Sequence, residues 1–248
     1  RDLHSFPTRR SSDLQLVADE VAQGESVADI GTDHGLLPIY LTRTGKSPRV
    51  VLSDISAKAL KKALADCEEY EPGRTFDLRE GYGLEVLASG EVDTVVIAGM
   101  GGILISEILT HDIDHARSFK RFILQPRNNK AKLRFCLSRI GFTIEKEILV
   151  REGRYIPDIF VVRSGNVCMS ASCPPEEDVR WEYPDALIRD RNKYTSEYLK
   201  RELAKQLGIK RKIESESSAS AENAGRIRII EEKISRLKLL LCKPDRCE

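Results

Sequence analysis

Residues 95–102 read Val-Val-Ile-Ala-Gly-Met-Gly-Gly, an apolar run that stops in three glycines around one methionine. A short apolar run of this kind suits a strand buried on both faces. Glycines directly after it imply a tight turn, or a neighbour too close to the backbone for a side chain. An apolar helical pattern from 103 to 109 follows at once. The stretch therefore predicts strand, loop and helix, with the loop at the strand's carboxyl end.

The same order repeats on both sides of it. Strands are expected at 27–30, 50–54, around 76–78, 94–98 and 122–125, and helices at 36–42, 57–69, 103–109 and 129–140. Strands alternating with helices imply a parallel sheet covered on both faces. Two last strands, 143–150 and 155–163, are joined by the turn-prone Glu152-Gly153 with no helix between them and are expected to pair antiparallel. The fold class is thus α/β, a Rossmann-like sheet, mostly parallel, with an antiparallel closing hairpin. Farther on, Ile227, Ile230, Ile234, Leu237 and Leu241 step by three and four, as do Leu199, Leu203 and Leu207 by four, predicting a coiled-coil hairpin over about 187–213 and 223–243.

The chain has 248 residues, 41% hydrophobic and 32% charged, as for a water-exposed globular protein. No stretch reaches the roughly 20 apolar residues of a membrane span. Four regions are expected: a disordered or foreign segment 1–13, a sheet domain 14–165, a linker 166–184 and a helical domain 185–248. The last carries 16 Lys and Arg against 11 Asp and Glu, a net +5, while the remainder is −4. That asymmetry suits an anionic partner or a solvated, ion-paired helical surface. The six cysteines form no CxxC pair and have no spaced histidines, so no metal site is expected, and a reducing, cytoplasmic setting is.

Open parallel sheets bind ligands beyond the carboxyl ends of their strands. Four stretches lie there. Asp29-Ile30-Gly31-Thr32-Asp33-His34-Gly35 lacks the full GxGxxG, and no GxxxxGK[ST] occurs, so a nucleoside without pyrophosphate fits better than a dinucleotide. Asp54, 25 residues on, is placed for ribose hydroxyls or for a helix cap, with Ile55 beside it. Gly81-Tyr82-Gly83-Leu84 lines a base or is an exposed turn. Gly99 to Gly102 either opens helix N–H groups to a ligand or allows close helix–sheet packing, and Met100 offers a soft apolar surface to a ring or methyl group.

Together, DIGTDHGLLP, SDI, GxGL, VIAGMGG and LQP, in this order between residues 16 and 163, resemble the bacterial tRNA (adenine-22-N1)-methyltransferase family. The resemblance implies an S-adenosyl-L-methionine cofactor and methyl transfer to N1 of an adenine in the D-arm region of tRNA; a monomer is expected, with a homodimer as the alternative. It implies that Asp29 and Gly31 shape the methionine pocket and that Asp54 and Ile55 hold the nucleoside. Gly81, Tyr82 and Gly83 would border its adenine. Gly99 and Gly101 would lie between cofactor and base, and Asp33, His34 and Met100 would face the transfer. The family usually has an acid at the position of Tyr82, with Asp77 or backbone groups as the substitute here. Two other readings are a methyltransferase acting on protein or small molecules and a non-catalytic RNA-binding relative.

Overall fold

The computed structural model describes residues 11–151, 153, 155–164 and 173–215, and 221–242. The chain divides into two compact units, 1–173 and 174–248.

In the first unit, helix α1 (Ser11–Asp19) precedes β1 (Val27–Ile30), α2 (Leu36–Arg43), β2 (Val50–Asp54), α3 (Ala57–Tyr70) and β3 (Asp77–Glu80). A 3-10 turn, Gly83–Val86, leads to β4 (Thr94–Ala98), α4 (Gly102–His111), α5 (Ile113–Arg117), β5 (Arg121–Gln125) and α6 (Lys130–Arg139). Strands β6 (Phe142–Leu149) and β7 (Asp158–Ser164) end the unit. Residues 1–10 of the segment expected to be disordered or foreign lie outside the described residues.

The sheet order is β3-β2-β1-β4-β5-β7-β6. β1 to β5 are parallel, and β7 runs antiparallel between β5 and β6. The chain moves outward from β1 to β3, then restarts at β4 on the other side of β1. The crevice between the ends of β1 and β4 is therefore the topological switch point.

Apolar residues fill both faces of the sheet. Val95, Ile97, Phe122 and Leu124 point to one buried cluster, and Val27, Leu52, Val96 and Ile123 to the other. Sheet positions facing both ways are apolar because helices cover both sides. The edge strand β3, Asp-Leu-Arg-Glu, has no such run, so it lies one to two residues later than its sequence suggests. Asp77 stands at its start, bonded to Arg79 and Arg49. That places Asp77 at the edge opposite the strand ends, so it does not serve as the substitute acid.

Helix α6 is tied to the hairpin by a buried ionic group. Arg134 bonds both Glu147 and Asp158, with Nη2 to Asp158 Oδ2 at 3.0 Å, and Lys130 Nζ lies 2.8 Å from Asp158 Oδ1. Burial pushes the Glu147 carboxyl above the usual range, against the pull of Arg134. Removing one partner of such a group would leave a buried charge uncompensated and destabilise the unit.

The second unit holds α7 (Val179–Glu182), α8 (Ala186–Arg189), α9 (Thr195–Ser215) and α10 (Ala221–Cys242). Ile213, Ile230 and Ile234 are buried together, with Leu203, Leu207 and Ile227 packed on them. Past Leu237 the seam continues through buried Leu240 rather than Leu241. The single helix expected over 187–213 is broken instead. Asn192 Oδ1 accepts from Tyr194 N–H and Thr195 Oγ1 from Asn192 N–H, a side-chain turn that competes with helix. No helix among the described residues is long and apolar enough to cross a membrane.

Candidate active site

At the switch point, β1 turns at Gly31, with φ +80°, a conformation that favours glycine. A Cβ there would run into Met100 Cε. Met100 therefore closes over the β1 loop from the β4 side. Its thioether is the side chain that joins the two halves of the crevice.

Asp29, at the end of β1, is buried and accepts a hydrogen bond from Thr32 Oγ1 at 2.7 Å. Burial pushes its carboxyl up to about 6, the Thr32 bond opposes this, and the charge of Asp54 adds to it. Asp54, at the end of β2, accepts from Ser56 N–H at 2.8 Å through Oδ1. Ser56, not Asp54, caps α3, accepting from Ala59 N–H. The second carboxylate oxygen of Asp54 has no partner among the described residues. Beside it Ile55 is 69% exposed, an apolar side chain standing free at the strand end.

Asp33 has φ +43°, and its Oδ1 accepts from Lys62 Nζ at 3.2 Å. His34 Nδ1 lies 2.9 Å from Asp66 Oδ2 and its Nε2 3.6 Å from Asp33 Oδ2. Both Lys62 and Asp66 come from α3, four residues apart and so on one helix face. Sequence reading missed them. The i,i+4 spacing is visible in the chain, but the partners it meets lie some thirty residues away.

The glycines of the β4 loop have protein neighbours. Gly99 has φ +79° and donates its N–H to Gln125 O. Arg127 N–H bonds Met100 O at 2.8 Å, and Gly102 N–H bonds Asn128 O at 3.0 Å. A Cβ on Gly102 would lie 2.6 Å from Asn129 O and 2.8 Å from Asn128 O, and one on Gly101 would lie 2.9 Å from Asn128 Oδ1. The β5–α6 loop is thus the close neighbour, through its backbone at Gly102 and through the Asn128 side chain at Gly101. The Gly102 N–H is taken and is not open to a ligand, which favours the packing alternative at that position.

Gly81 and Gly83 pack on the 3-10 turn and α4: a Cβ on Gly81 would lie 2.6 Å from Val86 Cγ1, and one on Gly83 3.0 Å from Ile108 Cγ2. Tyr82 turns its ring edge-on to His111, with centroids 6.1 Å apart, at the C-terminal end of α4. It lines a cavity of about 770 Å³ with Ile108, His111 and His115. Among the described residues no His, Cys, Asp or Glu group is arranged to hold a metal ion.

This arrangement, a doubly covered sheet with acids and glycines at its switch point, is that of an open α/β domain whose ligand edge lies at the carboxyl ends of its parallel strands. A family model for the methyltransferase domain matches residues 10–160, and the chain belongs to that family. Its fold is the Rossmann-like methyltransferase sheet with a C-terminal helical pair.

The chain is 32% identical over 156 residues to the tRNA (adenine(22)-N(1))-methyltransferase of Bacillus subtilis (strain 168). That alignment covers 63% of this chain and 66% of the relative, just under two thirds of its length. The crystal structure of the B. subtilis M1A22 tRNA methyltransferase superposes with TM-score 0.78 at 26% identity, covering 94% of this chain and 99% of that one. A Streptococcus pneumoniae protein solved in complex with S-adenosyl-L-methionine gives TM-score 0.75 at 26% identity, covering 92% and 98%. The resemblance seen in the motifs thus extends over nearly the whole architecture.

Proposed function

We propose that the protein is an S-adenosyl-L-methionine-dependent methyltransferase acting on N1 of an adenine in tRNA, position 22, in the cytoplasm. The observation that carries the reading is the carboxyl edge of the sheet at the switch point, where Asp29 and the Asp33–His34 pair come from β1 and the loop after it, and Asp54 and Ile55 from the end of the neighbouring β2. The crevice suits this cofactor. The open oxygen of Asp54 suits a ribose diol, Ile55 suits the face of an adenine ring, and buried Asp29 suits a cationic amino acid group.

When bound, the cofactor would supply an electrophilic sulfonium methyl to the N1 lone pair, leaving as the neutral thioether. N1 needs no deprotonation, in keeping with a β4 loop that lacks the [DN]PP[YF] pattern. The protein's work is to expose the base and align it, and positioning of this kind can supply roughly 7–11 kcal/mol. Because N1 lies on the pairing edge, the adenine must be unpaired, at a cost of about a few kcal/mol. Methylation leaves the ring cationic. Asp33 is placed to stabilise that charge, and His34, oriented by Asp66, to hold the base or take the excess N6 proton. Met100 supplies the apolar wall, and Gly99 and Gly101 the narrow backbone beneath it.

The test is mass spectrometry of tRNA after incubation with enzyme and cofactor, with the methylated base mapped. A methyl group on N1 of adenine 22 is the expected product, and unmodified tRNA would overturn the reading.

Two variants probe the cofactor side. Asp54→Ala should weaken cofactor binding by about 10- to 100-fold, the value of hydrogen bonds to a charged group, with little change in Tm. Calorimetry showing unchanged affinity would remove Asp54 from the ribose site. The raised Asp29 carboxyl gives a pH dependence. Its folded pKa of about 6 lies above the unfolded value, so the folded protein binds an extra proton between about pH 4 and 6. Stability from this group is present at low pH and is lost as pH rises through 6. A cationic ligand favours the ionised form, so cofactor affinity should fall roughly tenfold per unit as pH drops below 6. Asp29→Asn should bind weakly at every pH and flatten that slope.

A further inference from the structure

The β5–α6 loop is clamped on the glycine backbone of the β4 loop, and it carries Arg127. Its guanidinium lies over Gly99: a Cβ built there would be 3.4 Å from Nη2, 3.5 Å from Nε and 3.7 Å from Cζ. Nη2 and Nε are nearer than Cζ, so the Nε–Nη2 side of the guanidinium is the part that lies next to Gly99. The side chain is exposed and has no ion-pair partner among the described residues. The neighbouring cations differ. Lys130 pairs with Asp158, Arg134 with Glu147 and Asp158, and Arg121 with Glu25. The loop also holds Asn129 at φ +50°, one of two non-glycine residues with positive φ among the described residues. The other is Asp33. Strained loop residues of this kind gather where a ligand is handled.

From these observations we infer that Arg127 grips a phosphate of the RNA strand beside the target base. The inference rests on the tRNA reading above. A phosphate fits this cation better than the target base does. The base becomes cationic on methylation and would be repelled by a stacked guanidinium, whereas a planar N–H fork matches phosphate oxygens. The flanking phosphate would draw the strand over Gly99 and fix where the unpaired adenine enters.

The test uses the full chain with tRNA, measuring cofactor affinity, Tm, tRNA binding and KM over a series of salt concentrations. Arg127→Ala should raise the tRNA Kd and KM about 10-fold and reduce the log–log salt slope by about 0.7 to 0.9. Cofactor affinity and Tm should not move. Arg127→Lys should recover part of the binding and the salt slope, because a point charge still meets a phosphate but lacks the fork. An unchanged salt slope in Arg127→Ala, or an Arg127→Lys protein as weak as Arg127→Ala, would overturn the assignment while wild-type methylation stands. A wild type that binds cofactor but leaves tRNA unmethylated would overturn the functional reading and this role with it.

Discussion

Gly102→Val is expected to abolish methylation and to lower Tm by roughly 2–12 °C. The Cβ of any residue at 102 meets two backbone carbonyls, those of Asn128 and Asn129, and neither can swing aside as a side chain does. The N–H of Gly102 is also bonded to one of them, so relief by moving the loop breaks that bond. Forcing volume into a closely packed site costs about 1–3 kcal/mol, and a protein of this size loses about 2–4 °C per kcal/mol. The displaced β5–α6 loop would carry Arg127 and Asn128 away from the crevice, so activity should fall further than stability. Gly101→Ala offers the comparison. It meets only the side-chain amide of Asn128, which can rotate, and it should fold with near-normal Tm. Equal melting of wild type and Gly102→Val in calorimetry would show that the loop is not held as described.

Asp33→Asn should lower single-turnover methylation by roughly 100-fold, with cofactor affinity within about twofold of wild type. The magnitude is that of removing one group aimed at developing transition-state charge. Asparagine is the chosen replacement because Asp33 sits at φ +43°, which Asn tolerates and Ala does not. The neutral side chain keeps shape and hydrogen bonding but loses the negative charge that the cationic product ring needs. Lys62, which pairs with Asp33, would lose its counter-charge, and its own charge would add to the repulsion. Undiminished turnover in rapid-quench assays would remove Asp33 from the chemistry.

Much of the first unit is legible without coordinates. β1, β2 and β4 stand where their apolar runs place them, because a strand buried on both faces has to be apolar throughout. The ligand edge follows from the glycines and acids that come directly after those runs. The helical seam of Ile227, Ile230 and Ile234 is equally local, since three-and-four spacing puts side chains on one face whatever surrounds them.

What the chain alone leaves open is which distant pieces meet. His34 and Asp33 are adjacent in sequence, but Asp66 and Lys62 reach them only because α3 packs beside the β1 loop. Tyr82 turns to His111 on α4, a contact that no spacing rule contains. The glycines of 99–102 were readable as room for something close, and their residue type alone determined that. Tertiary structure decided that the close neighbour at Gly101 and Gly102 is the loop at 128–129, and that Arg127 covers Gly99. The reason is physical. Periodicity and turn chemistry are set by covalent neighbours, whereas a close approach between two loops depends on strand order, and β4 lies beside β5 only once the sheet has formed.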